Sequence, residues 1–124
     1  MATIELNKEN FNPTIEDNPI VILDFWAEWC APCRAFGPTF EAASEAHPDI
    51  VFGKVNTEEH GEIAQAFNIR SIPTLMVFRD QIVLYSQAGA LPAQQLEQLI
   101  AQVRMLDMDK VRADIERQSG EAAS

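Results

Sequence analysis

The chain has few basic residues, few cysteines and no apolar stretch long enough to cross a bilayer, and each shortage excludes a class of protein. Its 124 residues contain 9 Lys and Arg against 19 Asp and Glu, a formal net charge of -10. Nucleic acids and anionic membrane surfaces are bound by clustered cations, which this chain lacks. We therefore expect no nucleic-acid or membrane partner, and a monomer whose copies repel one another.

The cysteines and the N-terminal segment indicate the compartment. The segment Met1 to Pro19 has neither a basic start nor an apolar run of signal-peptide length, so a cytoplasmic location is expected. The only two cysteines, Cys30 and Cys33, are three positions apart. They cannot cross-link distant parts of a small secreted fold, so their role is predicted to be chemical.

The middle of the chain predicts a strand, a helix and a second strand. Ile20 to Trp26 is a nearly continuous apolar run, which is typical of a strand covered on both faces. A helix over Ala35 to Ala46 follows, with one apolar face, and then a strand over Ile50 to Asn56. Such a unit is right-handed, and its two strands are parallel.

Weaker patterns complete the order of elements. They are a strand at Thr3 to Leu6, a short helix near Thr14 to Asp17, a helix over Glu62 to Phe67, a hairpin of Thr74 to Phe78 and Ile82 to Tyr85, and a long helix opened by Pro92. The fold class is therefore predicted to be α/β, with three layers and a central mixed sheet of five strands.

The candidate chemical site is the segment Trp29-Cys30-Ala31-Pro32-Cys33, between the apolar strand and the first long helix. Open α/β sheets place their chemistry at such strand ends. Pro32 suits an early helical position, which puts Cys30 just outside the helix start. The first-turn N–H groups then point at the Cys30 sulfur and favour its thiolate, the species that attacks.

The spacing of the cysteines predicts exchange with other disulfides. Side chains three apart on a helix are close enough to form a disulfide after a small adjustment. Cys30 would attack a substrate disulfide, and Cys33 would release the product at high effective concentration. A metal site is the alternative; it needs two further ligands, for which His47, His60 and carboxylates are the candidates.

Asp24 is the sole charged residue in the apolar strand that leads to the cysteines. Burial without a partner raises the pKa of a carboxyl group into a range useful for moving protons. Asp24 is therefore a candidate to accept the Cys33 proton, directly or through water. The alternative is a carboxylate satisfied at the exposed end of the strand.

Two segments, Asp24 to Cys33 and Ile69 to Thr74, together resemble the thioredoxin family of bacterial type. The resemblance covers about residues 3–106. It implies a cytosolic protein-disulfide reductase that binds no cofactor itself and acts on disulfide-containing proteins. Its electrons would come from NADPH through thioredoxin reductase, a flavoprotein.

The resemblance also implies roles for individual residues. Cys30 would be the nucleophile, Cys33 the resolving thiol and Asp24 the buried proton carrier. Lys54 would be the charge partner of Asp24, although a plain surface lysine is the alternative. Pro73 matches the family's cis-proline facing the disulfide. The substrate groove would be lined by Trp29, Ala31, Pro32, Ile72, Pro73, Gly89 and Ala90.

Three departures from the family pattern leave questions open. Ala31 stands where the family usually has Gly, which affects redox poise, so an oxidant or isomerase remains an alternative. A second alternative function is a non-catalytic binding or chaperone-like module that uses the same groove. The turn Arg79-Asp80-Gln81 lacks the customary glycine.

The third departure is a C-terminal extension, residues 107–124, beyond a thioredoxin-like domain over residues 1–106. Met108, Val111 and Ile115 recur at helical spacing and predict a short amphipathic helix. The helix is expected to pack on its own domain, the alternative being a dimer or partner contact. Residues 119–124 are expected to be disordered.

Overall fold

The computed structural model describes the backbone of residues 2–123 and the side chains of residues 2–119. In chain order its elements are β1 (Thr3–Glu5), α1 (Phe11–Asp17), β2 (Ile20–Trp26), α2 (Ala31–Ala46), β3 (Val51–Asn56), α3 (Gly61–Ala66), β4 (Thr74–Arg79), β5 (Ile82–Ala88), α4 (Ala93–Met105) and α5 (Met108–Ala123).

The five strands form one mixed sheet in the order β1-β3-β2-β4-β5. Strands β1, β3 and β2 are parallel, whereas β4 runs antiparallel to β2, and β5 antiparallel to β4. The predicted fold class is confirmed. The apolar run of β2 lies at the centre because it needs cover on both faces.

Each face of the sheet has its own apolar core. One core joins β2 and β3 to α2 and α4, and its members include Ile22, Phe40, Phe52, Leu96 and Ile100. The other joins the opposite face to α1 and α3, and its members include Val21, Leu23, Phe11, Ile15 and Ile63. Alternate β2 side chains therefore enter different cores, which fixes the strand's register.

Gly53 lies where β3 passes between two leucines. A Cβ atom there would lie 2.7 Å from Leu6 Cδ1 and 3.1 Å from Leu23 Cδ2. Real Cβ atoms essentially never approach another atom to 2.7 Å, and 3.1 Å is a tight contact, so a larger residue would displace the Leu6 side chain and press on Leu23. Glycine at this position therefore leaves room for the Leu6 and Leu23 side chains to pack on β3.

The β4–β5 turn forms without glycine. Asp80 and Gln81 both have positive φ, 52° and 68°, the left-handed pair of a type I′ hairpin. The Asp80 N–H donates to the Pro19 carbonyl at 2.8 Å, and the Asp80 carboxylate pairs with Arg112 at 3.2 Å. These two contacts hold the turn from both sides.

Helix α5 begins at the cap residue Asp107, whose Oδ1 accepts hydrogen bonds from the N–H groups of Asp109 and Lys110 at 3.1 and 3.3 Å. Met108 is 6% exposed, and Arg112 reaches the β4–β5 turn. The backbone is helical through Ala123, whereas the sequence indicated disorder from Ser119. Ser124 lies outside the described residues.

Candidate functional site

Cys30 and Cys33 form a disulfide at the junction of β2 and α2, with 5.2 Å between their Cα atoms. Cys30 is the N-cap of α2, and its Sγ accepts a hydrogen bond from the Cys33 N–H at 3.3 Å. Pro32 lies in the first turn, where its missing N–H is not needed. The helix N-terminus therefore points at Cys30 Sγ, as the sequence indicated.

The loop before β4 faces the disulfide. The Ile72–Pro73 peptide bond is cis, and Cys30 Sγ lies 3.7 Å from the Ile72 carbonyl oxygen. The Gly89 N–H donates to the Pro73 carbonyl at 2.8 Å, so the end of β5 lies against the same loop. Residues about forty positions apart thus meet at one end of the sheet.

A cavity of about 520 Å³ opens beside the cysteines. Four of the predicted groove residues line it: Trp29, Ala31, Pro32 and Ile72. The other lining residues are Cys30, Thr57, Ala64, Ile69, Arg70 and Ser71. Pro73, Gly89 and Ala90, the other predicted groove residues, are not among the lining residues; Pro73 follows Ile72 in the chain, and the Gly89 N–H donates to the Pro73 carbonyl.

Trp29 is 67% exposed, and its indole Nε1 donates to Glu58 Oε1 at 2.6 Å. This bond gives the indole N–H a polar partner and favours the orientation of the ring beside Cys30. Glu58 itself lies in the loop after β3, with its N–H bonded to Asn56 Oδ1 at 2.9 Å. The Trp29 ring therefore forms one wall of the cavity.

Asp24 is 1% exposed, and neither carboxylate oxygen has a hydrogen-bond partner within the described residues. Loss of solvation on burial raises the pKa of Asp24 from its ordinary 3.8 to about 7. The positive charge of Lys54 opposes this rise in the pKa, and the negative charge of Glu5 adds to it. Asp24 is thus poised to take or give a proton near neutral pH.

Lys54 lies across from Asp24 in the register of β2 and β3. Its Nζ lies 4.4 Å from the centroid of the Trp26 ring, a cation–π contact. Glu5 continues the row, because it is the register partner of Lys54 on β1. Neighbouring residues in a sheet share a face, so these three form an acid, base, acid row from the buried centre to the sheet edge.

Sequence reasoning missed Glu5, Glu58 and Arg70 as parts of the site. Glu58 belongs to a run of acidic residues in which nothing marks one member. Glu5 reaches the site through the pairing of β1 with β3, which sequence spacing does not reveal. Arg70 lies within the segment Ile69 to Thr74 that resembles the family, and its position two residues before Ile72 was the available signal. Only the alternation of β1 hinted that Glu5 and Leu6 face opposite sides.

Among the side chains of residues 2–119, no three His, Cys, Asp or Glu come close enough to hold a metal ion. His47, a candidate ligand, is instead bonded to Glu97 at 2.7 Å and to Arg104 at 2.9 Å. None of the helices in the same part of the chain has the length and apolar content of a bilayer span.

A family model described as Thioredoxin matches residues 2–102. The chain belongs to the thioredoxin family. A putative thioredoxin 2 from Streptomyces coelicolor is 55% identical over 121 residues, which are 98% of this chain and 90% of that protein. A thioredoxin from Alicyclobacillus acidocaldarius is 40% identical over 103 residues, 82% of this chain and 98% of that one. The first alignment extends into residues 107–124 because it covers nearly the whole chain.

Solved thioredoxin structures share the fold. Plasmodium falciparum thioredoxin matches with a TM-score of 0.74 and 35% identity, covering 81% of this chain and 97% of that one. A mutant thioredoxin from Halobacterium salinarum matches with a TM-score of 0.77 and 28% identity, covering 85% of this chain and 92% of that one.

Thioredoxins are disulfide-reducing oxidoreductases, and this member carries the paired cysteines that such exchange requires. The protein is therefore a protein-disulfide oxidoreductase that works by thiol–disulfide exchange through Cys30 and Cys33. In general the family acts on disulfide substrates, is served by reductase partners and binds no cofactor of its own.

Proposed function

We propose that Cys30 is the nucleophile of this thioredoxin and Cys33 the resolving thiol. The observation that supports this most is the hydrogen bond from the Cys33 N–H to Cys30 Sγ at the N-terminus of α2. A donor and a helix dipole at one sulfur stabilise its thiolate. Cys30 also lines the cavity from which a substrate disulfide would approach.

Reduction then takes two exchanges. The Cys30 thiolate attacks one substrate sulfur, the substrate S–S bond breaks, and the released substrate thiolate takes up a proton. Cys33 loses its proton and attacks Cys30 Sγ; the mixed disulfide breaks and a second substrate thiol leaves. The Cys30–Cys33 disulfide remains, and two electrons have passed to the substrate.

Asp24 is proposed to take the Cys33 proton in the second exchange, directly or through water. With a pKa near 7, its carboxylate is present at neutral pH and is basic enough to accept. Lys54 is proposed to set this pKa through charge, since it lies across from Asp24 and lowers that value. Trp29, Ala31, Pro32 and Ile72 are proposed to hold the substrate chain, with Pro73, Gly89 and Ala90 beside it.

The electrons that restore the dithiol are proposed to come from NADPH through thioredoxin reductase, a flavoprotein separate from this chain. The protein is proposed to act in the cytoplasm, where glutathione and thioredoxin systems keep thiols reduced. We also propose that residues 1–106 form the catalytic domain and residues 107–124 an appended helix.

Serine variants test the assignment of the two cysteines. The Cys33→Ser protein should accumulate a mixed disulfide with a disulfide-containing protein such as insulin, seen as a reductant-sensitive band on non-reducing gels. The Cys30→Ser protein is the matched control and should trap far less. Equal trapping by both variants, or trapping through Cys33 alone, would overturn the assignment.

A further inference from the structure

Arg70 differs from the other arginines in that its side chain has no partner among the described residues. The structure gives the Arg70 side chain no hydrogen bond and no ion pair within the described residues. The other arginine side chains donate to backbone carbonyls or carboxylates; they are Arg34, Arg79, Arg104, Arg112 and Arg117. A guanidinium has five donors in a planar fork, so Arg70 is free to bind an anion from outside the chain.

Arg70 lines the same cavity as Cys30. All the other residues lining this cavity are neutral, so Arg70 supplies its only charge among the described residues. Arg70 also precedes by two positions Ile72, whose carbonyl lies 3.7 Å from Cys30 Sγ. A substrate whose disulfide reaches Cys30 therefore passes an apolar wall that carries one cation.

We propose that Arg70 binds a carboxylate of the substrate, so that this thioredoxin favours protein disulfides with Asp or Glu close in sequence to the attacked cysteine. The proposal rests on the proposed function, because it assumes that substrates reach Cys30 through this cavity. An extended peptide advances about 3.3 Å per residue. Arg70 is two positions from Ile72, whose carbonyl meets Cys30 Sγ, so a substrate strand running alongside this loop would place the preferred acidic residue about two or three positions from its cysteine.

The net charge of -10 acts in the opposite direction, because it repels acidic partners at long range. Salt at about 0.15 M screens charges beyond about 8 Å, whereas a contact ion pair is screened less. A simple comparison of acidic and neutral substrates would mix these two effects. A double-mutant cycle separates the two effects, because it compares the loss of Arg70 in the presence and in the absence of the substrate carboxylate. The repulsion by the other charges of the chain is the same with and without Arg70, so it cancels.

The experiment measures the rate at which the reduced protein cleaves three disulfide peptides, identical except for Glu, Gln or Lys two residues from the cysteine. The Arg70→Gln variant is compared with wild type at about 0.15 M NaCl. The matched control is Arg117→Gln, which removes the same charge from α5. Arg70→Lys tests whether charge without the planar fork restores part of the effect.

We expect Arg70→Gln to slow cleavage of the Glu peptide roughly two- to fivefold, the size of an exposed ion pair, and to leave the Gln peptide nearly unchanged. The Lys peptide should be cleaved faster by this variant. Arg117→Gln makes the same change in net charge and measures the long-range effect alone, so it should slow cleavage of the Glu peptide much less than Arg70→Gln does. Arg70→Lys should recover part of the rate with the Glu peptide.

Two different failures are distinguishable. If Arg70→Gln changes the Glu and Gln peptides by the same factor, the ion pair does not exist and the inference is wrong, while disulfide reduction stands. If the wild-type protein cleaves none of the peptides and also leaves insulin oxidised, the proposed function itself fails, and the inference fails with it. Moving the Glu six residues from the cysteine should abolish the coupling.

Discussion

Lys54 lies directly across from Asp24, yet its ammonium group is placed over the ring of Trp26 and makes no ion pair with the carboxylate within the described residues. The buried acid therefore feels a nearby positive charge without a direct hydrogen bond to it. Such an arrangement lowers the pKa of Asp24 only partly, and the value stays near neutrality.

The raised pKa makes stability depend on pH. Between its unfolded value of 3.8 and its folded value of about 7, Asp24 holds a proton in the folded chain and loses it on unfolding. The associated stability is complete below pH 3.8 and is lost as pH rises through 7. From this group alone, the protein should be about 2 to 3 kcal/mol less stable at about pH 8 than at about pH 5.

Unfolding by guanidinium chloride at several pH values measures how the free energy of unfolding changes with pH. The oxidised chain is used because its cysteines do not titrate. Asp24→Asn should remove most of this pH dependence, so that the variant is the more stable protein at about pH 8. A slope that persists unchanged in the variant would show that other groups cause it.

Asp24 should also control the second exchange. Replacing it with Asn removes the proposed base, so release of product from the mixed disulfide at about pH 7 should slow by roughly a hundredfold or more. Formation of the mixed disulfide by Cys30 should be nearly unaffected. Rapid-quench separation of the two steps measures both, and equal slowing of both steps would argue for a structural effect instead.

The row of Glu5, Lys54 and Asp24 should respond to substitutions with opposite signs. Glu5→Gln removes a negative charge and should lower the pKa of Asp24, whereas Lys54→Gln should raise it. Carbon-detected NMR of the Asp24 carboxyl group gives the pKa directly. Glu16→Gln, at an exposed position of α1, is the control and should leave the pKa of Asp24 unchanged. If Glu5→Gln and Lys54→Gln shift this pKa in the same direction, the charge argument is wrong.

The close approach at Gly53 should make it intolerant of even one methyl group. Gly53→Ala places Cβ against Leu6 and Leu23 and should destabilise the fold by about 1 to 3 kcal/mol. Gly61→Ala meets no atom within 4 Å and is the matched control. Denaturant unfolding compares the two, and equal stabilities would show that the sheet adjusts at no cost.

Removal of residues 107–124 should separate stability from activity. The shortened chain loses the buried Met108 and the Arg112–Asp80 ion pair, so it should unfold about 1 to 3 kcal/mol more easily. Its rate of insulin reduction should equal that of the full chain below the melting temperature. A shortened protein that folds normally but has lost reduction would give α5 a part in catalysis.

The sequence predicted those parts of the site that depend on local order. Cys30, Pro32 and Cys33 are neighbours on one strand-to-helix junction, so their geometry follows from capping and helix spacing. The apolar run around Asp24 likewise revealed its burial. These inferences needed no knowledge of which strand lies next to which.

The remaining contacts depend on tertiary placement. Glu58 meets Trp29 because the loop after β3 ends beside the motif, and Glu5 meets Lys54 because β1 pairs with β3. Parallel pairing between strands far apart in sequence leaves no short-range signal. The glycine-free turn at Asp80 and Gln81 was also unpredictable from turn residues, since contacts with Pro19 and Arg112 hold it.

The attachment of α5 to the β4–β5 turn separates the two ends of the molecule. Six residues of β4, about 20 Å of strand, lie between that turn and the loop that faces the disulfide. A bead, an electrode or a fused protein anchored through the outer face of α5 would thus leave the thiols unobstructed. The immobilised protein should pass electrons to soluble disulfides as readily as the free one.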